Sequence, residues 1–338
     1  MTARRVVAFG GGHGLSASLR ALRHCAPELD LDITAVVTVG DDGGSSGRLR
    51  AERGGLPPGD LRQALVALAG DHPATRRSAG LFQHRFAGAL AADVPQGSVT
   101  DPNPAAARAD GLAGHAVGNL VLCGLMELLG DPVAALEHAG AMLGTVGRVL
   151  PMSRQPVDIE ARVRGADPAA PDEVCTVRGQ HQVAVTTGRV ESLRLTPAAP
   201  AACAEALAAI GAADWLIFGP GSWYTSVLPH LLVPQLADAI VSSSARRLVT
   251  LNLAAEKETL GLSVADHLAA LHWYLPELKV DLVLADAKAV GDPEPVERAA
   301  ESLGARLVLA PVAVTDGTPR HDPAALGAAL VPVLGADR

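Results

Sequence analysis

Aromatic residues make up only 3% of the 338 positions, and the chain has only four cysteines. Cys25, Cys123, Cys175 and Cys203 stand far apart and form no CxxC pair. Neither a zinc site nor a disulfide framework is expected, and the four read as reduced thiols, mostly in the core. Basic residues are outnumbered, 28 Lys and Arg against 36 Asp and Glu, for a formal net charge of −8. That balance argues against a general nucleic-acid or anionic-membrane surface and leaves room only for a local basic pocket. No run of about eighteen apolar residues occurs, so no membrane span is expected. The first residues pass almost directly into Val6-Val7-Ala8-Phe9, without the longer apolar segment of a secretory leader, so a cytoplasmic location is expected. HExxH and a Walker A Lys-Ser/Thr are absent as well.

What is present is globular: 49% apolar and 19% charged residues. The length suits two domains or one large domain with insertions. Arg5 to Phe9 reads as a strand. Leu15, Leu19 and Leu22 mark one helix face, and Ile33 to Val39 reads as a second, doubly covered strand. This βαβ opening implies a right-handed crossover. Asp60 is placed to cap a helix carrying Leu61, Leu65 and Leu68. Residues 88–114 read as a long loop, Asn119 to Leu129 as a buried apolar helix, and Asp131-Pro132 as a helix start. Period-two alternation over Val157 to Val163, Gln182 to Val185 and Val190 to Leu195 predicts a small antiparallel element. The α/β rhythm then returns, with strands at Trp215–Phe218, Arg247–Leu253, Val280–Ala285 and Arg306–Leu309. The expected fold is α/β and Rossmann-like: a mostly parallel sheet with a small antiparallel β insertion. Its parts are 1–148, a nucleotide-binding part; 149–200, the insertion; and 201–330, which completes the sheet.

Five segments carry possible chemistry. Gly10-Gly11-Gly12-His13-Gly14 lies between a strand and a helix, where glycines let a phosphate approach backbone amides. It is not a strict GxGxxG, since Leu15 follows. Asp41-Asp42-Gly43-Gly44-Ser45 follows the second strand. Its acids suit ribose hydroxyls or Mg²⁺, and the segment also suits a plain turn. In Pro57-Pro58-Gly59-Asp60-Leu61-Arg62, Asp60 suits a cap, and Arg62 is out of place for the helix dipole and so a candidate phosphate contact. His115 and Asn119, in Gly114-His115-Ala116-Val117-Gly118-Asn119, suit either ligand contact and acid/base work or a loop residue and a helix cap. Gly219-Pro220-Gly221-Ser222 opens a second strand–turn–helix unit, a second anion-binding helix start or a turn.

The segments GGGHGLS, VTVGDDGGSSGRLR, LPPGDLRQAL, FQHRF, GHAVGNL and FGPGSWYTSVLPHLLVP, in this order, closely resemble the YvcK family, related to the 2-phospho-lactate transferase CofD. The resemblance runs from about Val6 to His321. It implies a CofD-like fold and binding of UDP-N-acetylglucosamine (UDP-GlcNAc), in a family linked to cell-wall and cell-shape control and to gluconeogenic growth, with no established reaction. Carried over by position, the phosphate turn is Gly11 to Leu15, including Gly12, His13 and Gly14. The resemblance also places Asp41 and Asp42, His115 and Asn119, Gly219 to Ser222 and Asn252 in the site, with Arg298 as the basic ligand contact. The family's Q-P-G before Glu-Thr is missing from Asn252–Thr259, and Leu262 stands where an aromatic is expected. This departure bears on sugar or uracil recognition more than on phosphate binding.

The leading expectation is a UDP-GlcNAc sensor acting through regulatory protein partners, as a monomer or homo-oligomer, with no required cofactor and with Mg²⁺ as an option. The alternative is a Mg²⁺-dependent phospho-transferase of the CofD type.

Overall fold

The computed structural model describes residues 3–87, 111–167, 169–259 and 261–336. Ten strands are found among them: β1 (Arg4–Gly10), β2 (Leu31–Val37), β3 (Gly147–Pro151), β4 (Asp158–Arg164), β5 (Val174–Arg178), β6 (Arg189–Thr196), β7 (Trp215–Phe218), β8 (Arg246–Thr250), β9 (Leu282–Asp286) and β10 (Arg306–Ala310). The helices are α1 (Gly12–Cys25), α2 (Gly44–Arg53), α3 (Pro58–Leu68), α4 (Pro73–Gln83), α5 (Val117–Leu129), α6 (Pro132–Leu143), α7 (Gln180–Val185), α8 (Ala204–Ala212), α9 (Leu228–Leu231), α10 (Pro234–Ser242), α11 (Val264–Tyr274), α12 (Ala287–Val290), α13 (Glu294–Ser302) and α14 (Pro323–Gly335).

Seven strands form one parallel sheet in the order β10-β9-β8-β7-β1-β2-β3. The central strands β1, β2 and β7 carry continuous apolar runs because helices cover both faces, and Val6, Phe9, Ala35, Val36, Leu216 and Phe218 are fully buried. From β1 the chain moves one way to β2 and β3. After the insertion it moves the other way from β7. The order therefore reverses between β1 and β7, and in open α/β sheets ligands lie beyond the strand carboxyl ends at such a point. The insertion is a three-stranded antiparallel sheet, β5-β4-β6. Its period-two pattern is plain in β4, where Ile159, Ala161 and Val163 face the core.

Several local expectations are corrected. Gln182 to Val185 is helical, part of α7, because the carboxylate of Asp42 accepts the His181 N–H at 2.8 Å and holds the helix start. A four-residue alternation cannot outweigh such a tertiary cap. Asp60 lies inside α3, whose N-cap is Pro57. Asn119 lies inside α5, whose N-cap is Ala116, so it is not a cap either. Helix α5 is strongly apolar and packs among α2, α3, α4 and α6, yet it is not wholly buried among the described residues, where Leu128 and Leu129 are exposed. The segment after Asp42 is not merely a turn, since α2 begins at Gly44. Asp131 caps α6 with Pro132 in its first turn, as expected. Of the expected loop 88–114, residues 88–110 lie outside the described residues.

His230 on α9 joins this helix to the central sheet. Its Nε2 lies 3.0 Å from the Val36 carbonyl and its Nδ1 3.3 Å from that of Val227, and the ring meets Phe9 edge-on. Burial drives its pKa down to about 4. Between pH 6.5 and 4 the native state thus binds fewer protons than the unfolded chain. The neutral ring's contribution is complete above pH 6.5 and is lost as pH falls toward 4. His230→Leu leaves a buried carbonyl short of a donor, and about 1–3 kcal/mol of stability should be lost at pH 7. Urea denaturation at pH 7 and pH 4.5 should show this deficit narrowing on acidification. An unchanged gap would mean that the ring has the same pKa in the native and unfolded states.

Candidate functional site

A crevice of about 1070 Å³ opens at the switch point between β1 and β7. Two glycine turns form its floor. The first leads from β1 into α1. Gly12 has φ +56°, a left-handed conformation that glycine adopts freely, and Gly11 starts the helix with no side-chain cap. The second leads from β7 into a π-helical turn, Trp223–Val227, and then α9. The two turns touch backbone to backbone. A Cβ on Gly14 would lie 2.3 Å from the Pro220 carbonyl oxygen and 2.4 Å from Gly221 Cα. Asn252, just beyond β8, fixes the second turn by donating to the Gly221 carbonyl and accepting from its N–H, both at 2.9 Å.

The two helix starts differ in what fills them. At the first, Asp60 lies beneath the turn, accepting from the Thr38 hydroxyl at 3.1 Å and from the Gly12 N–H. Gly11 has no room for a side chain there, since a Cβ would lie 2.4 Å from both Asp60 Oδ2 and Thr38 Oγ1. His13 and Gly14 line the open crevice above. At the second, the chain supplies its own anions. Glu258 accepts the Tyr224 N–H at 2.8 Å, and the Ser222 hydroxyl donates to Glu256. The second glycine turn therefore shapes the wall while its helix start is held by internal carboxylates.

Charge on the floor is concentrated and buried. Burial, with the Asp41 carboxylate nearby, pushes Asp60 up to about 7. Glu258 is likewise raised to about 7, mainly by burial. Arg62 is 5% exposed; its guanidinium donates to Gln83 Oε1 at 2.7 Å, and its Nε has no partner. Burial and the neighbouring Arg85 lower its pKa, while Asp60 and Asp41 oppose them.

Of the sequence-derived candidates, Gly11, Gly12, His13, Gly14, Asp41, Asp60, Arg62, Pro220, Gly221, Ser222 and Asn252 line this crevice. The paired acids part company. Asp41 faces the crevice with its Oδ2 against Gly59, whereas Asp42 turns away to hold α7. Gly43 and Gly44, which begin α2, Leu15, buried under α1, and Gly219, behind the second turn, are not in the lining. Ser45, His115 and Asn119 form a buried knot instead: Ser45 Oγ lies 3.0 Å from His115 Nδ1 and accepts from Asn119 at 3.0 Å. This knot ties α2 to α5 and lies outside the crevice lining. Burial, then Arg48, holds His115 below the usual histidine range. Arg298 lies on the exposed face of α13, paired with Glu294, and does not line the crevice. Leu262 and Lys257 lie outside it too, whereas Leu253, Ala254, Ala255 and Glu256 line it.

Sequence reasoning missed Gln180 and His181, which bring the insertion into the crevice wall. The Gln180 amide donates to the Thr225 carbonyl at 3.2 Å and reaches Asp60. It also missed Gln83, Arg85, Arg320 and His321. FQHRF, which begins Phe82-Gln83-His84-Arg85, was a visible signal for two of these.

Known proteins share this architecture. The family model described as 2-phospho-L-lactate transferase CofD matches residues 6–309. A gluconeogenesis-factor homologue of Mycobacterium tuberculosis is 48% identical over 336 residues, 98% of this chain and 91% of that protein. The gluconeogenesis factor of Bacillus subtilis is 34% identical over 305 residues, 90% of this chain and 84% of its own. A crystal structure of a UPF0052-family protein from Bacillus halodurans superposes with a TM-score of 0.79 at 32% identity, covering 98% of this chain and 99% of that one.

The touching turns yield a test. Gly14→Ala pushes two main chains apart and should destabilise the protein by about 1–3 kcal/mol, as overpacking does. At Gly12 a Cβ meets only Asp60 Oδ1, at 3.7 Å. Gly12→Ala should therefore cost only the strain of its left-handed backbone, about 1–2 kcal/mol. Thermal unfolding of both variants compares them. A Gly14→Ala protein as stable as wild type would show that the turns do not touch.

Proposed function

The chain belongs to the CofD family, in its gluconeogenesis-factor (YvcK, UPF0052) branch, and we propose that its crevice binds a nucleotide sugar, UDP-GlcNAc. The observation that carries this reading is the first turn of α1, where His13 and Gly14, beyond the Gly12 N–H that Asp60 accepts, line a crevice at the switch point. Helix starts of this kind take phosphates through backbone amides and the helix dipole. The volume suits a ligand with a nucleoside, a pyrophosphate and a sugar, since drug-sized ligands occupy about 300–1,000 Å³. The pyrophosphate lies on Gly11–Gly14. Of the lining residues, Leu253, Val314, Pro319 and Pro323 offer apolar surface for the base. Asp41, Arg62, Gln180 and His181 offer polar groups for the hydroxyls of the sugars.

In this reading the protein is a cytoplasmic sensor of cell-wall precursor supply. It reports the ligand-bound state to partner proteins and so links cell shape to carbon metabolism. No described helix is long and apolar enough to cross a membrane. Binding needs no bond to be broken, and the crevice residues suffice for it.

One observation favours the transferase as a second reading. Asp41 and Asp60 are neighbouring carboxylates on the floor, and hard oxygen ligands of this kind suit Mg²⁺, which commonly uses one or two carboxylates with water and substrate phosphates. Asp41 and Asp60, not Asp41 and Asp42, would hold the ion, whose charge would stabilise a phosphoryl oxygen.

Thermal shift and calorimetry separate the readings. UDP-GlcNAc at about a hundred times its Kd should stabilise the protein by about 2.7 kcal/mol, a shift of about 2–4 °C per kcal/mol. No shift with UDP-sugars at millimolar concentration, beside a clear one with GDP or NAD, overturns the sensor's ligand. Asp41→Asn should weaken UDP-GlcNAc binding equally with and without Mg²⁺ if the sensor reading holds. Loss of a Mg²⁺-dependent increment in Asp41→Asn, but not in Asp42→Asn, together with a phosphorylated product, favours the transferase.

A further inference from the structure

Behind the crevice lies a second groove of about 630 Å³, lined by one face of α1, the end of α3, α4 and the start of α14. Arg20, Arg23 and His24 stand on α1 at spacings that share a face, and Arg76 on α4 faces them. Among the described residues, the carboxylates lining the groove are those of Asp71 and Asp322. Asp322 is occupied, since its Oδ1 accepts from Ala324 and Ala325 N–H as the cap of α14. Asp71 is shared: Arg23 pairs with it at 2.8 Å and Arg76 at 3.7 Å. Arg20 makes no hydrogen bond or ion pair among the described residues. It lines both this groove and the crevice, as does Pro323.

In a chain with a net charge of −8, this excess of guanidinium groups is local. Arg23 is already oriented, with Nη1 on the Ala67 carbonyl at 3.1 Å at the end of α3. The exposed Arg76–Asp71 pair is long and so contributes little, which leaves Arg76 available to a stronger acceptor. Guanidinium forks match the oxygens of phosphate groups in paired hydrogen bonds.

The geometry points to a second anion site in this groove, for a small molecule bearing phosphate groups, with Arg20 as the wall it shares with the crevice. The site is built on the same helix whose start forms the first glycine turn. A ligand in the groove therefore grips α1 about two to three turns beyond Gly12. This proposal does not depend on which nucleotide the crevice takes.

Inorganic pyrophosphate is the probe. Calorimetry with the Gly12→Val protein, whose first turn is obstructed, should still show binding that weakens as salt rises. Adding Arg76→Glu to that protein should reduce the affinity at least ten-fold, and Arg20→Ala should do likewise. A wild-type crystal soaked in tungstate provides a second measurement that needs no variant. Its anion peak should lie between Arg20, Arg23 and Arg76. No binding to the folded Gly12→Val protein, affinity unmoved by both arginine changes, or a tungstate peak at the glycine turn alone overturns the proposal. So does a poly-glutamate peptide that binds the groove where pyrophosphate does not. UDP-GlcNAc binding by the wild-type protein is measured separately, so either site can fail without the other.

Discussion

The crevice depends on one close contact, the packing of α1 at Gly14 against the main chain of Pro220 and Gly221. Nothing larger than hydrogen fits between them. The contact draws together two strand–turn–helix units that are separated by some two hundred residues of sequence but adjacent in the sheet, on β1 and β7. Asn252 locks the arrangement by bonding both polar groups of Gly221. With the turns held in contact, His13 and Gly14 in the first turn of α1 line the crevice at the point where strand order reverses. That is where an α/β sheet leaves room for a ligand.

Carboxylates then distinguish the two turns. Glu256 and Glu258 satisfy the start of the second helical segment from within the chain. Asp60 supports the first turn from below and leaves its upper side open. Burial pushes both Asp60, on the crevice floor, and Glu258, outside its lining, up to about 7, so charging either carboxyl is costly. Arg62 opposes that cost through its attraction to Asp60 and Asp41. The glycine-rich sequence is similar at the two turns, yet the second is held by two carboxylates of the following loop and the first by Asp60 alone.

The small antiparallel insertion also contributes to the site. Asp42 anchors α7, and α7 presents Gln180 and His181 to the crevice. Adjacent acids that look interchangeable thus serve different ends. Asp41 lies on the floor, and Asp42 fixes the wall. The histidine and asparagine of the GHxxGN segment are likewise committed to Ser45 and the joint between α2 and α5.

The sequence by itself determined the elements whose signals are local. Uninterrupted apolar runs specified the central strands, Asp131-Pro132 specified the start of α6, and strand–glycine–helix order specified both turns. The motif series also specified the family, and with it a parallel sheet carrying a β insertion. Local signals suffice there because burial on both faces, helix capping and left-handed backbone are properties of a few neighbouring residues. The tertiary structure alone decided the fate of side chains whose partners are distant. It turned Asp42 from the crevice to α7, filled the second helix start with Glu258, buried His115 against Ser45 and left Arg298 on the surface beside Glu294. It made α7 a helix despite its alternation and, among the described residues, left Leu128 and Leu129 of α5 exposed. Each of these outcomes depends on which group lies within about 3 Å, the reach of a hydrogen bond. Residues tens to hundreds of positions apart acquire that proximity only when the chain has folded.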